Sequence, residues 1–423
     1  MGALGSGGGG VTLAPKVWCL GVWVSYDIDA VRAQFPALKA GSAHFDGPGG
    51  TQMPSPVIEA IADALAGPLS NRGTITLGER NAEAIVSGAR QALADLLGAD
   101  PSGVVFGRSA TQLGYDFSRA LAKTWSPGDE VVVTRLDHDA NVRPWVQAAE
   151  AAGATVRWAD FDPATAELPP AAIAAVLSDR TRLVAITAAS NLLGTRPDIS
   201  EIARLVHAAG ALLYVDGVHY AAHVSVDIGR MGADFFACSP YKFLGPHLGV
   251  LAAAPDLLES VHPDKLLPST NAVPERFEFG TLPYELLAGA RAAVDFLAGL
   301  SPHADGTRRE RLISAFEALE EYEDGLRRRL EEGLAGMERI TLHSRAALRT
   351  PTLLLTVDGR DTVDAYRFLA ERGVDAPSSS FYALEASRRL GLGDAGGLRA
   401  GLAPYSTAAD VDRLLQGLSD FLA

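Results

Sequence analysis

The sequence predicts an α/β fold, with a large domain on a mostly parallel sheet covered by helices on both faces and a smaller α+β domain. Three observations lead there. Short β-branched runs alternate with helical stretches through the middle of the chain, the texture changes after Pro283, and 423 residues exceed what one compact core holds.

Compact sequence begins near Ser25. Residues 1–24 read as a flexible leader outside the fold: GSGGGG is a linker-like tract, and VWCLGVWV is too short for a secretory signal. SYDIDAVRAQFPAL has the pattern of a short amphipathic helix. HFDGPGGTQMPSPVIEAIADAL reads as a strand, a Gly/Pro turn and a helix with Pro56 near its start. From Gly78 to Gly98, Ile85, Ala89, Leu93 and Leu96 recur at helical spacing.

The strand-like runs GVVFG, EVVVTR, TVRWAD, RLVAITAAS, ALLYVDG and DFFACS follow. Helical stretches at Thr111–Lys123, Pro144–Ala152 and Ile199–Ala209 lie between several of them. Ligands of such sheets sit beyond the carboxyl ends of the strands. After Pro283 one long helical region, Tyr284 to Gly336, is rich in Arg and Glu and reads as a solvated face. Strand-like TPTLLLTVDG, a helix near Val363–Arg372, GLRAGLAPYST and a final helix complete the chain. The expected division is a large domain over 45–285 and a small one from 25–44 with 286–423.

Apolar residues make up 48% and charged residues 21%, and the net charge is −14. An acidic chain repels phosphate backbones and lacks the basic face of a membrane-surface protein, so neither nucleic acid nor membrane is an expected partner. The two cysteines, Cys19 and Cys238, form no ligand pattern or disulfide framework, which fits a reducing cytoplasm. No apolar run reaches membrane length, and the nine histidines show no HExxH pattern of a metal hydrolase.

Two residues at strand ends carry the chemistry. ALLYV runs into Asp216, where an unpaired acid is costly to bury. DFFACS is followed by Lys242, between small or apolar residues and a Gly-Pro. Each alone fits a turn or a cap. Together they match the pair that pyridoxal phosphate requires: a lysine made neutral by burial to attack an aldehyde, and an acid that keeps the pyridine nitrogen protonated.

The string VDGVHYAAH…DFFACSPYKFLGPHLGVL, with ITAASNLLGT, resembles the class V aminotransferase group of fold-type I pyridoxal-phosphate enzymes, within it the cysteine desulfurase-like proteins. The similarity runs from about Phe45 to Gly289 and again over Leu398–Leu415. It implies that Lys242 is the Schiff-base lysine, Asp216 the partner of the pyridine nitrogen, and His138 the ring that stacks on the cofactor. It further implies Asn191 beside the phenolic oxygen and Ala110, Thr111 and Ser239 around the phosphate. Thr281 would come from the neighbouring subunit of a homodimer, and Arg399 would grip the substrate carboxylate.

Three departures from the family pattern stand out. Desulfurases carry a reactive cysteine on a loop shortly before the carboxylate-binding arginine, whereas GVDAPSSSFYALEASRRLGLGDAGGLR has none. His219 stands where desulfurases have a glutamine at the phenolic oxygen, able to donate the same hydrogen bond. Tyr241 replaces the histidine before the lysine, close to the phosphate. DGPGGTQMP (Asp46–Pro54) faces the substrate in the family, although it also reads as a plain tight turn, and Arg72 is a possible anion contact. The expected protein is a pyridoxal 5'-phosphate enzyme acting at Cα of an amino acid or amine through an external aldimine, an aminotransferase or lyase. The alternatives are a desulfurase using another thiol and a cofactor-binding module without turnover.

Overall fold

The computed structural model describes residues 26–303 and 305–423. The leader at 1–24, with Cys19, lies outside the described residues. Seven strands form the large sheet: β1 (Val104–Gly107), β2 (Glu130–Thr134), β3 (Thr155–Ala159), β4 (Thr181–Thr187), β5 (Leu212–Asp216), β6 (Phe235–Cys238) and β7 (Gly249–Ala253). Their spatial order is β1-β7-β6-β5-β4-β2-β3, and only β7 runs antiparallel to its neighbours.

Strand alternation splits the sheet's side chains between two cores. Phe106, Val132, Val184, Leu213, Val215 and Phe236 pack on one face with the helices Leu77–Leu97 and Tyr284–Gly299. Val105, Val131, Val133, Ala185, Tyr214 and Phe235 pack on the other, with the helices Ala110–Ala122 and Arg143–Ala152. Both faces are apolar, as a covered parallel sheet requires. The helix Leu77–Leu97 opens with a capping box, Thr76 with Glu79, and closes on Gly98 in the left-handed conformation.

A second sheet of order β10-β11-β9-β8 joins β8 (Ile340–Leu342), β9 (Thr352–Val357), β10 (Ser378–Ser379) and β11 (Gly397–Gly401), all antiparallel. It packs with the C-terminal helix Ala408–Leu422 in its own core, around Leu353, Leu355, Leu398 and Leu414. The long helical region read from Tyr284 to Gly336 is two helices, Tyr284–Gly299 and Arg308–Ala335. Ser301-Pro302 follows the first, and a Thr307–Glu310 capping box starts the second. The strand foreseen beside His44 is only Ala43–His44, paired in parallel with Val374–Asp375. Among the described residues, no helix is long and apolar enough to cross a membrane.

Gly249 lets β7 lie against the loop that opens the helix Ala110–Ala122. A methyl there would sit 2.3 Å from the Ser109 carbonyl carbon and 2.8 Å from Ala110 N, both backbone atoms. Gly249→Ala is therefore expected to lower stability by about 1–3 kcal/mol. Urea unfolding of the variant measures it.

Candidate active site

Alternation also decides which side chains leave the sheet toward solvent. Asp216, the last residue of β5, follows Tyr214 by two positions and shares its face. Thr187 at the end of β4 and Ala237 on β6 point the same way. With them, Tyr214 and Asp216 line a cavity of ≈ 650 Å³ beyond the carboxyl ends of these strands. Cys238 is one position out of phase, so its thiol lies in the opposite core, where burial raises its pKa.

The helix Ala110–Ala122 begins at this cavity. Ser109 caps it by accepting a hydrogen bond from Gln112 N at 3.1 Å. The amides of Ala110 and Thr111 are in the first turn, have no intrahelical acceptor and carry the positive end of the helix dipole. Both residues line the cavity, as does buried Ser239 from across the sheet. A dianionic phosphate suits this end.

Lys242 ends a short turn after β6 and is buried. Its Nζ donates to the carbonyls of Pro48 and Gly49, the latter at 3.0 Å, and stands 4.5 Å from the Tyr241 ring centre. Burial lowers its pKa to about 8, helped by Arg399 and opposed by Asp46 and Asp216. Asp216 shifts the other way: burial raises its pKa to about 6, against the Val218 amide at 2.9 Å and the Lys242 charge.

His138 lies in the turn after β2. Its Nδ1 accepts from Ala140 N at 3.0 Å, which leaves the ring proton on Nε2. Burial, then the charge of Lys242, hold its pKa down to about 4, so the ring is neutral near pH 7. Its outer neighbour is Tyr382, with ring centres 5.5 Å apart and 26° between planes. Beneath it, buried Asp137 accepts from Thr134 Oγ1 and from Asn141 Nδ2 at 2.7 Å, anchoring the turn.

Arg399 on β11 is 1% exposed. Its guanidinium donates to Asn191 O at 3.0 Å and to Asp46 Oδ1 at 2.5 Å, and lies 3.6 Å from the Phe381 ring centre. Phe381 and Tyr382 both have left-handed backbones, with φ of 50° and 58°. Their carbonyls are pinned by Asn191 Nδ2 at 2.9 Å and Asp139 N at 2.7 Å. Strained non-glycine residues held this firmly mark a clamp around a site. The helix Leu384–Arg389 that follows is tied to the segment after β2 by Glu385 to Arg135 at 2.9 Å.

The cavity thus gathers Ala110, Thr111, His138, Asn191, Asp216, His219, Ser239, Tyr241, Lys242 and Arg399. Thr281 is not among its lining residues and is exposed on this chain. Arg72 pairs within this chain with Glu83 at 2.8 Å and Glu275 at 3.2 Å. The sequence reading missed the Asp46–Arg399 pair and the Phe381 stack. The Gly/Pro-rich turn at Asp46 was the available signal, but nothing local links it to residue 399.

The donor set fits pyridoxal phosphate. Asn191 Oδ1 and His219 Nδ1 are buried without partners among the described residues, two polar atoms that a group in the cavity would satisfy. A partly neutral lysine, a strand-end carboxylate and a free helix N-terminus complete the match to an aldehyde, a pyridine nitrogen and a phosphate.

Comparisons with known proteins agree with this geometry. The class V aminotransferase family profile matches residues 43–414. An uncharacterized protein of Mycobacterium tuberculosis is 33% identical over 94% of this chain and 99% of its own length. An aminotransferase-like protein of Gibberella zeae is also 33% identical, covering 93% of this chain and 98% of its own. A cysteine desulfurase of Escherichia coli, solved in its S-sulfonic acid form, superposes with a TM-score of 0.82 at 26% identity, over 94% of this chain and 98% of that one. The chain belongs to the class V aminotransferase family and is a pyridoxal-phosphate-dependent enzyme of fold type I.

The uncharged amine of Lys242 is half populated at about pH 8. Covalent uptake of added pyridoxal phosphate is expected to speed up with pH through a midpoint near 8, below the usual lysine value. Stopped-flow visible absorbance reads the profile, and Lys242→Ala is expected to show no borohydride-trappable uptake.

Proposed function

We propose that this enzyme acts at Cα of an amino acid or amine as an aminotransferase or lyase, and that it works as a homodimer. The observation that carries the reading is one cavity lined by buried Lys242 and Arg399 and by half-buried Asp216. When bound there, pyridoxal phosphate supplies an aldehyde for the amine and a ring that accepts electrons from Cα.

The chain's own residues then have separate tasks. The amides of Ala110 and Thr111, the Thr111 hydroxyl and Ser239 hold the phosphate, with Tyr241 beside them. Asp216, a carboxylate above about pH 6, keeps the proton on the pyridine nitrogen. Asn191 and His219 would hold the phenolic oxygen, and neutral His138 would stack on the ring. Arg399 would hold the substrate carboxylate and so orient the bonds at Cα. Lys242 Nζ, uncharged in part at neutral pH, takes the Cα proton and returns it. Loss of a β-substituent before that proton is returned divides elimination from transfer.

Direct sulfur capture is disfavoured. Ser378 to Tyr382 hold no thiol, and Cys238 Sγ lies in the core on the far side of the sheet. The two cysteines of the sequence fit a cytoplasmic setting.

Exposed apolar side chains support the dimer. Ile75 is 83% exposed, and Leu77 and Phe279 are also exposed. The Arg72–Glu275 pair ties their two segments together, and Thr281 lies two residues beyond Phe279. Large apolar side chains left in solvent on two joined segments are what a subunit interface would cover.

The test is the cofactor-loaded protein offered a panel of amino acids and amines, assayed for oxo acid, elimination products and sulfide. Oxo acid or elimination product is expected, with turnover lowered about 10²-fold or more in Asp216→Asn. An absorption band that no amine shifts would leave only a cofactor-binding module, and appreciable sulfide from cysteine would restore the desulfurase reading. Light scattering is expected to give twice the monomer mass. Thr281→Ala is expected to weaken cofactor retention about tenfold, the worth of one hydrogen bond to a charged group.

A further inference from the structure

Arg399 already has an anion. Asp46 Oδ1 sits 2.5 Å from its Nη2, so the guanidinium assigned above to the substrate carboxylate meets a carboxylate of the protein first. The two partners differ in freedom. The Arg399 side chain is 2% exposed, wedged between Phe381 and the Asn191 carbonyl, whereas the Asp46 side chain is 45% exposed and faces the cavity. Its turn also makes room for it: a methyl on Gly49 would lie 2.3 Å from Asp46 Oδ2 and would push the carboxylate from its present place. Arg399 Nε is buried with no acceptor among the described residues, so the fork is not saturated by what it holds.

We propose that Asp46 is a specificity-determining residue that competes with the substrate carboxylate for Arg399 and yields to it. The inference rests on the reading of Arg399 as the carboxylate clamp. A second carboxylate cannot share the guanidinium beside Asp46 without like-charge repulsion, and both line one partly desolvated cavity. The exposed partner therefore swings away, since Arg399 is fixed by its stack and its carbonyl bond. A monoanion must displace Asp46 to bind. A ligand lacking a carboxylate leaves the pair intact, so the pair filters ligands by their anionic group. The main-chain carbonyls of Pro48 and Gly49, in the same turn, receive Lys242 Nζ, which places the gate beside the reacting amine.

The experiment is calorimetric titration of the cofactor-loaded protein with propionate and with propylamine, in wild type, D46N and R399Q. D46N keeps the side chain's shape and lies at a solvent-facing position, so folding is not at issue; near-UV circular dichroism checks R399Q, with R399K in reserve. D46N is expected to bind propionate about tenfold more tightly, the scale of one charge-assisted hydrogen bond regained, with propylamine unchanged. R399Q is expected to lose propionate binding. Propionate affinity unchanged or weakened in D46N, with R399Q still abolishing binding, would overturn the competition and leave the clamp standing. Propionate binding that survives in R399Q would instead overturn the clamp, and the competition with it.

Discussion

Everything in this molecule's site follows from taking ionisable groups out of water together. Lys242 and Arg399 are buried and Asp216 is half-buried around one cavity, where each would lose much of its charge's hydration. The protein answers differently for each. Arg399 cannot give up its proton, so it keeps an ion pair with Asp46. Lys242 moves toward neutrality and Asp216 toward protonation. The same desolvation that makes the site costly makes the amine nucleophilic, so stability and reactivity are set against each other at one atom.

The scaffold holds these groups by drawing them from opposite sides. Asp216 and Lys242 come from the ends of adjacent strands of the large sheet, fixed by a core on each face. Arg399 comes from the second sheet, held by β9 and β10 on either side. The two halves meet through specific polar contacts. Tyr405 Oη accepts from Gln52 N at 3.0 Å, Arg135 reaches Glu385, and His219 Nε2 meets Thr350 and Thr352 Oγ1 at 2.9 and 3.0 Å. Strained backbone at Phe381 and Tyr382 persists because their carbonyls and rings are both engaged.

What the sequence disclosed and what it hid divide along range. Asp216 and Lys242 were legible because each ends a run whose apolar pattern announces a strand, and strand ends are where such sheets bind ligands. Ala110 and Thr111 were legible as a helix start. The Asp46–Arg399 pair spans most of the chain, and no local pattern in a Gly/Pro turn specifies so distant a partner. Nor does the string FY reveal that one ring will cover Arg399 and the next His138, because that depends on two left-handed residues where no glycine signals them. The break between Tyr284–Gly299 and Arg308–Ala335 was hidden by continuous helix-favouring composition on both sides of a short Ser-Pro segment.

His219 shows how hydrogen-bond counting sharpens a role that residue type leaves open. Its Nε2 lies within reach of two buried hydroxyls, and Thr350 Oγ1 has a second acceptor in Gly194 O at 3.3 Å. Were Nε2 protonated, the Thr352 hydroxyl proton would have no acceptor among the described contacts, and Nδ1 would be an unpaired lone pair as well. With Nε2 as acceptor, Thr352 donates to it and Thr350 donates to Gly194, which uses every hydroxyl proton at the cost of an acceptor–acceptor contact between Thr350 Oγ1 and Nε2 at 2.9 Å. Burial, with the positive charges of Arg399 and Lys242 nearby, holds the ring neutral, which allows only one ring proton. That proton then sits on Nδ1, the atom left without a partner. A buried donor of this kind needs an acceptor oxygen, and a residue on the cavity wall can receive it only from a bound molecule. The histidine at this position is thereby suited to the donation that a glutamine makes in the desulfurases, with its direction set by two threonines of the other sheet region.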